Sequence, residues 1–328
     1  MALVMVPPLP APGAALRLLL FAAIPAACVP TATPSPPSTV LGGAWERRAD
    51  APVALTEVAV SAHDGRIWVA GGLTAGGAGS TDVFVYDPAT DAWTEGPELP
   101  EAVHHSTLVS DGESLRLLGG FAGSTFDSPT PAVRRFDEAA STWFDDPPLP
   151  EPRAAGAAAW DGSRIVYAGG VEPGAISGAV FAFEDRAWSQ VARLANPREH
   201  LAATSDSEGG TYVVGGRVGG LDGNLATADL IRGTTAETIG EFPTPRGGVA
   251  AFWWPALGAC LVGGESPGGT NPQAECIDED GDVAVLPGLA QPRHGLGAAV
   301  VDGVAFVALG GDQPGLFVSP TLESLQLP

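Results

Sequence analysis

The sequence predicts an all-β protein assembled from six repeats of four short strands each, and three observations carry that prediction. Six short apolar runs each end in two glycines: Gly71-Gly72, Gly119-Gly120, Gly169-Gly170, Gly215-Gly216, Gly263-Gly264 and Gly310-Gly311. The intervals between successive pairs are 48, 50, 46, 48 and 47 residues, a regularity that marks a repeat architecture. The runs themselves (IWVA, LRLL, IVYA, TYVV, ACLV and FVAL) are too short for helices and rich in β-branched and aromatic residues, so each reads as a buried strand. A second marker keeps the same phase: Trp45, Trp93 and Trp143 each stand 26 residues before the next glycine pair, and Trp188 stands 27 before.

From the N-terminus, residues 1–28 hold Arg17 as their only charge, followed by the apolar run Leu18–Ala23 and then Ile24-Pro25-Ala26-Ala27-Cys28. This has the form of an export signal, with an apolar segment too short to span a bilayer. A cysteine directly after two small residues resembles the lipobox of bacterial lipoproteins, which makes Cys28 the candidate lipidation site. Residues 29–41, with four prolines among Ser and Thr, read as an extended tether. Residues 42–328 form the repeat domain. Within each unit, a turn such as HDG or WDG joins the first two strands, and a third strand such as DVFVYD leads through an acidic turn to the tryptophan strand. Pro52, Pro100 and Pro150 follow the first three tryptophans by seven residues, and Pro-Arg pairs at 152–153, 197–198, 245–246 and 292–293 precede the next first strand.

The combination of diglycine, aromatic-acidic strand end and tryptophan resembles the kelch repeat, and the resemblance covers residues 43–328. It implies a six-bladed β-propeller of four-stranded blades. Ring closure is physically sensible, because a lone four-stranded sheet cannot bury both faces whereas a ring of six buries each against a neighbour. Both the Trp45 segment and the C-terminal TLESLQLP match a fourth strand of blade 6, and the N-terminal segment is preferred because it keeps the tryptophan. The Pro-Arg turns and post-diglycine loops then share one face, and the Asp-rich turns share the other.

Composition limits the function. With 38 acidic groups against 16 basic ones and a net charge of −22, the protein would repel a phosphate backbone, so nucleic acid is not an expected partner, and a membrane is expected only through a lipid anchor. The Pro-Arg face gathers Arg153, Arg198, Arg246 and Arg293, with Arg217 just after a glycine pair, and reads as a basic ligand-binding mouth. Kelch proteins generally bind through such a surface, so the implied function is an exported, lipid-anchored, envelope-associated or extracellular module for a protein or glycan ligand, anionic ones included. The alternative is a channel-sited enzyme. His105, His200 and His294, with His104 beside them, begin first strands of alternate blades, and three converging imidazoles can hold zinc or copper. A sialic-acid mutarotase built on kelch blades requires a glutamate and an arginine near the channel, which Glu199 and Arg198 resemble. The galactose oxidase copper site has no counterpart here, since Tyr86, Tyr167 and Tyr212 hold ordinary strand positions. No cofactor motif is present: Gly264-Glu265-Ser266-Pro267-Gly268 has the form G-x-S-x-G but does not lead into a helix, so it is not a nucleophile elbow. Cys260 and Cys276 fall on adjacent strands of one blade and are expected to form a disulfide.

Overall fold

A computed structural model describes residues 38–39, 43–206 and 208–326. Cys28 and the export segment lie outside them. Six four-stranded antiparallel sheets surround one channel, and in blades 1 to 5 the four strands run in chain order from the axis outward. Blade 1 is Ala59–His63, Arg66–Ala70, Val83–Asp87 and Ala92–Glu95. Blade 2 is Thr107–Ser110, Leu115–Leu118, Val133–Asp137 and Thr142–Asp146. Blade 3 is Ala157–Trp160, Ile165–Ala168, Ala179–Glu184 and Ala187–Arg193. Blade 4 is Ala202–Ser205, Gly210–Val214, Thr227–Arg232 and Thr235–Glu241. Blade 5 is Ala250–Trp254, Gly258–Val262, Ala274–Ile277 and Val283–Leu286, with Ser38–Thr39 added in parallel along its outer edge.

Blade 6 is closed by both ends of the repeat domain. Its strands are Gly297–Val301, Val304–Ala308 and Leu322–Gln326, and the outermost is Glu46–Arg47, paired as Glu46↔Ser324 and Arg47↔Glu323. The N-terminal segment is thus the fourth strand, as expected. The C-terminal segment does not compete for that place, because it supplies the third strand.

Burial follows the interfaces between blades rather than a single centre. Six apolar clusters occur, one for each neighbouring pair of blades. Second strands such as Gly210–Val214 and Gly258–Val262 are buried throughout, which explains their unbroken apolar sequences. The tryptophan spacing also has a cause. The indoles of Trp93, Trp143 and Trp188 donate to the carbonyls of Ala49, Pro97 and Pro147, just past the outer strand of the preceding blade, and Trp45 does the same to Pro287. Each ring therefore seals an outer interface while its N–H stays satisfied.

The glycine pairs join neighbouring blades near the axis. The second glycine of a pair donates its N–H to a carbonyl in the next blade's incoming connection: Gly72 to Val103, Gly120 to Arg153, Gly170 to Arg198, Gly216 to Arg246 and Gly264 to Arg293, at 2.8–3.0 Å. At Gly119 the first position requires glycine, because a Cβ would stand 2.4 Å from the Arg153 carbonyl oxygen and the backbone has φ +60°. In blade 6 the pattern slips by one residue. Leu309 takes the first position with φ 58°, Gly310 donates to Leu55, and Gly311 lies beyond the link.

Cys260 and Cys276 are direct cross-strand partners in blade 5, fully buried and joined as a disulfide. A bridge closing this short loop contributes about 3 kcal/mol. Replacing both cysteines by alanine is expected to lower the thermal midpoint by several degrees, and calorimetry under non-reducing conditions checks it. An unchanged midpoint would contradict a stabilising bridge.

Candidate functional site

The first strands line a central channel of about 380 Å³ whose walls carry small side chains such as Ala59, Ser61, Ala159 and Ala203. At the Pro-Arg face it narrows to a neck of about 70 Å³. Six residues in equivalent blade positions form this neck: Glu57, His105, Ala155, His200, Gly248 and Gly295. Every one has a left-handed backbone, with φ between 52° and 66°. Their peptide groups chain from blade to blade. His105 N–H donates to the Glu57 carbonyl, Ala155 to His105, His200 to Ala155, Gly248 to His200 and Gly295 to Gly248, and Val58 N–H closes the circle on Gly295 at 3.3 Å. A left-handed conformation costs a non-glycine residue roughly 1–2 kcal/mol. Glycine fills the position in blades 5 and 6, whereas glutamate and histidine occupy it in blades 1, 2 and 4.

Those three side chains meet on the axis. Glu57, His105 and His200 each bring one donor atom to a common point, all within 4.8 Å of one another. His105 Nε2 lies 3.1 Å from His200 Nε2 and 3.3 Å from Glu57 Oε2. Hydrogen bonding assigns the tautomers. The Thr125 carbonyl can only accept, so His104 is protonated on Nε2; its Nδ1 then accepts from His105 Nδ1–H at 2.6 Å. His105 Nε2 is left with a lone pair facing the neck. On the other side, His200 Nδ1–H donates to Glu199, which turns His200 Nε2 toward the neck. Burial, together with the His200 and His104 rings, holds His105 well below the usual imidazole range and hence neutral.

Glu199 continues the network outward. Its Oε1 accepts from Arg217 Nε at 3.0 Å, and Arg217 Nη1 reaches Glu265 at 2.7 Å. Burial alone would push the Glu199 carboxyl up, but His200 and Arg217 outweigh it and hold the group below the ordinary carboxylate range. His294 is not one of the three: its Nδ1 and Nε2 lie against the carbonyls of Gly311 and Gly315, with Nε2 3.8 Å from Glu57 Oε1 and from Glu265 Oε2. The expected trio of His105, His200 and His294 is therefore replaced by Glu57, His105 and His200. His294 stands one residue before its neck position, Gly295, as His104 does before His105.

The Pro-Arg arginines are not at the mouth. Arg153, Arg198, Arg246 and Arg293 are 0 % exposed. Arg198 binds Asp229 and the carbonyls of Gly215 and Val213, Arg246 binds Glu275 with Gly263 and Leu261, and Arg293 binds Glu323 with Leu309 and Thr321. Arg153 is held by Glu151, Glu172 and Ser177. The guanidinium groups of Arg198, Arg246 and Arg293 tie the incoming connection to the second and third strands of their own blades, that of Arg153 ties it to the post-diglycine loop, and the carbonyl of each takes the diglycine N–H of the blade before. The sequence reading of a basic mouth fails here for a physical reason: four of its five cations are neutralised in the interior. Arg217 alone of the five reaches the neck, and it rather than Arg198 is the arginine paired with Glu199.

The mouth exposes large apolar side chains among polar residues such as Asp127, Asp312 and Gln313. Phe126 (52 %), Val218 (50 %), Leu316 (47 %) and Phe317 (47 %) stand on the post-diglycine loops of blades 2, 4 and 6, with Val53 on the same face. Phe126 sits edge-on to His104 and His105, with ring centroids 4.9 and 5.4 Å away.

This geometry defines a six-bladed β-propeller with a polar neck and an apolar rim. Residues 54–100 match the Kelch motif family. Kelch-like protein terF of Aspergillus terreus is 26% identical over 309 residues, covering 88% of this chain and 57% of that protein, and Beta-scruin of Limulus polyphemus is 34% identical over 76 residues, or 23% of this chain and 8% of that protein. The chain thus spans little more than half the length of the fungal relative. The solved structure of YjhT superposes with a TM-score of 0.72 at 12% identity, covering 85% of this chain and 97% of that one, a likeness of fold alone. The motif match, the Kelch-like relative and the propeller neighbour together support a kelch-repeat β-propeller.

Replacing Arg246 by alanine would leave Glu275 buried and unpaired, at a cost of about 3–5 kcal/mol. Urea unfolding should show that loss. A change below 1 kcal/mol would mean that the guanidinium is not a structural tie.

Proposed function

We propose that the protein is exported, is tethered to an envelope membrane by lipid on Cys28, and binds a protein partner through its mouth face. Kelch propellers commonly serve as protein-binding modules, and the sequence of residues 1–28 supports export. One observation carries the choice of face: of the six large apolar side chains exposed among the described residues, five stand there and only Phe144 lies elsewhere, on an outer strand. A cluster of apolar side chains rimmed by polar groups is the signature of a recognition surface. The partner in this reading offers an aromatic or aliphatic segment. An anionic ligand has lost its main support, since Arg217 is already matched by two carboxylates. A glycan that stacks an apolar sugar face on Phe126 or Phe317 is the variant of the same reading.

A second reading, the channel-sited enzyme, draws support from the convergence of Glu57, His105 and His200 in the neck. In its carbohydrate-processing form the relevant pair is Glu199 with Arg217.

Cross-linking in the native host separates the face from the rest of the surface. Partner capture should fall at least tenfold in a Phe126→Asp, Phe317→Asp double variant and persist in Phe144→Asp. Equal capture by all three would overturn the assignment. For the anchor, the mature protein should carry the mass of a lipidated N-terminal Cys28, and Cys28→Ala should move it from the membrane to the soluble fraction.

A further inference from the structure

The neck brings two imidazole nitrogens face to face. His105 Nε2 and His200 Nε2 are 3.1 Å apart, and the other nitrogen of each ring is engaged on its far side, with His104 and with Glu199. Glu57 Oε2 adds a carboxylate oxygen 3.3 Å from His105 Nε2. One carboxylate oxygen and two imidazole nitrogens, all within 4.8 Å of one another, are a donor set that can surround a cation.

We propose that Glu57 Oε2, His105 Nε2 and His200 Nε2 are the protein ligands of a single divalent zinc-type metal ion, held on the propeller axis with a fourth coordination position open to the neck. Three observations support the site independently. Donors bound to zinc at ordinary N and O distances in tetrahedral geometry stand about 3.3–3.5 Å apart, so the two measured edges of 3.1 and 3.3 Å are already close to a metal's requirement. The second observation is the backbone. All three ligands occupy left-handed positions that glycine fills in blades 5 and 6, and sidedness of this sort points to a role that the fold alone does not demand. Room for the carboxylate is also made deliberately: a Cβ on Gly295 would fall 2.7 Å from Glu57 Oε1.

The third is the supporting layer. His200 is oriented by the Glu199 carboxylate, which Arg217 fixes in turn, and a metal-bound imidazole characteristically donates its other N–H to such a group. Mixed imidazole and carboxylate ligands suit zinc and its first-row neighbours and do not suit calcium or magnesium. The neck's volume of about 70 Å³ accommodates one or two waters beside an ion. Ser106 Oγ, which lines it, is buried without a protein partner and is available to such a water. Two imidazoles and one carboxylate with an open fourth position are the ligand set of hydrolytic zinc centres.

Zinc itself is the probe. The full chain, expressed without a histidine tag, is stripped with chelator and titrated with Zn²⁺ against a chromophoric competitor, and Co²⁺ is then used as a spectroscopic reporter. One ion per chain is expected, with Co²⁺ giving the intense visible absorption of four-coordinate geometry. His200→Ala should abolish stoichiometric binding, and Glu199→Gln, which keeps the ligand set and its packing, should weaken it about 10–100-fold. His63→Ala, whose ring bonds Ser110 and Glu138 away from the neck, should leave binding unchanged. Circular dichroism on each variant excludes unfolding as the cause, and Glu199→Gln stands as the test if His200→Ala does not fold. Absence of stoichiometric zinc in the folded wild type, or binding that survives equally in His200→Ala, would overturn the proposal.

Discussion

The architecture depends on the peptide hydrogen bond that each glycine pair delivers to the next blade. Four-stranded sheets pack face to face through apolar side chains, but that contact is non-directional and would tolerate sliding or a different number of blades. The diglycine link is directional. Its N–H meets one carbonyl, in a connection whose own side chain, in blades 3 to 6, is an arginine bolted to the following blade. Main-chain and side-chain bonds therefore alternate around the axis. Inside that ring, a second circle of peptide hydrogen bonds brings six left-handed residues to the neck.

A neck built from main chain leaves its side chains free to specialise. The ring persists with alanine in blade 3 and glycine in blades 5 and 6, so nothing in its closure calls for glutamate or histidine. The strained conformations of Glu57, His105 and His200 instead place functional groups on the only line that all blades share. Charge is divided in a corresponding way. The interior arginines neutralise buried carboxylates at fixed points, the surplus of acidic groups remains at the surface, and the rim of the mouth carries five exposed apolar side chains among polar ones.

The period, the strands and the closure by the N-terminal segment were legible because inter-blade packing imposes the same residue types on every repeat. The disulfide was legible for a related reason, since two adjacent strands of known register bring Cys260 opposite Cys276. The one-residue slip at Leu309 was hidden, because a third glycine position restored the appearance of a pair at Gly310-Gly311. Charge type did not reveal burial: an arginine in a Pro-Arg turn looks solvent-facing until its carboxylate, some thirty residues away on the third strand, is known. The neck was half legible. Counting two residues beyond each Pro-Arg arginine, or its Leu55 and Val103 equivalents, selects Glu57, His105 and His200 and excludes His294. Pattern-matching on histidines alone missed the glutamate that shares their phase.

The measurement that tests this account most directly is amide hydrogen exchange resolved to single residues. A closed circle of peptide hydrogen bonds requires the amides of His105, Ala155, His200, Gly248 and Gly295 to be protected as strongly as those of the buried second strands, although they border a solvent-filled neck. Exchange at the rate of the exposed mouth loops would contradict the closed ring, and with it the rigid placement of Glu57, His105 and His200 on the axis.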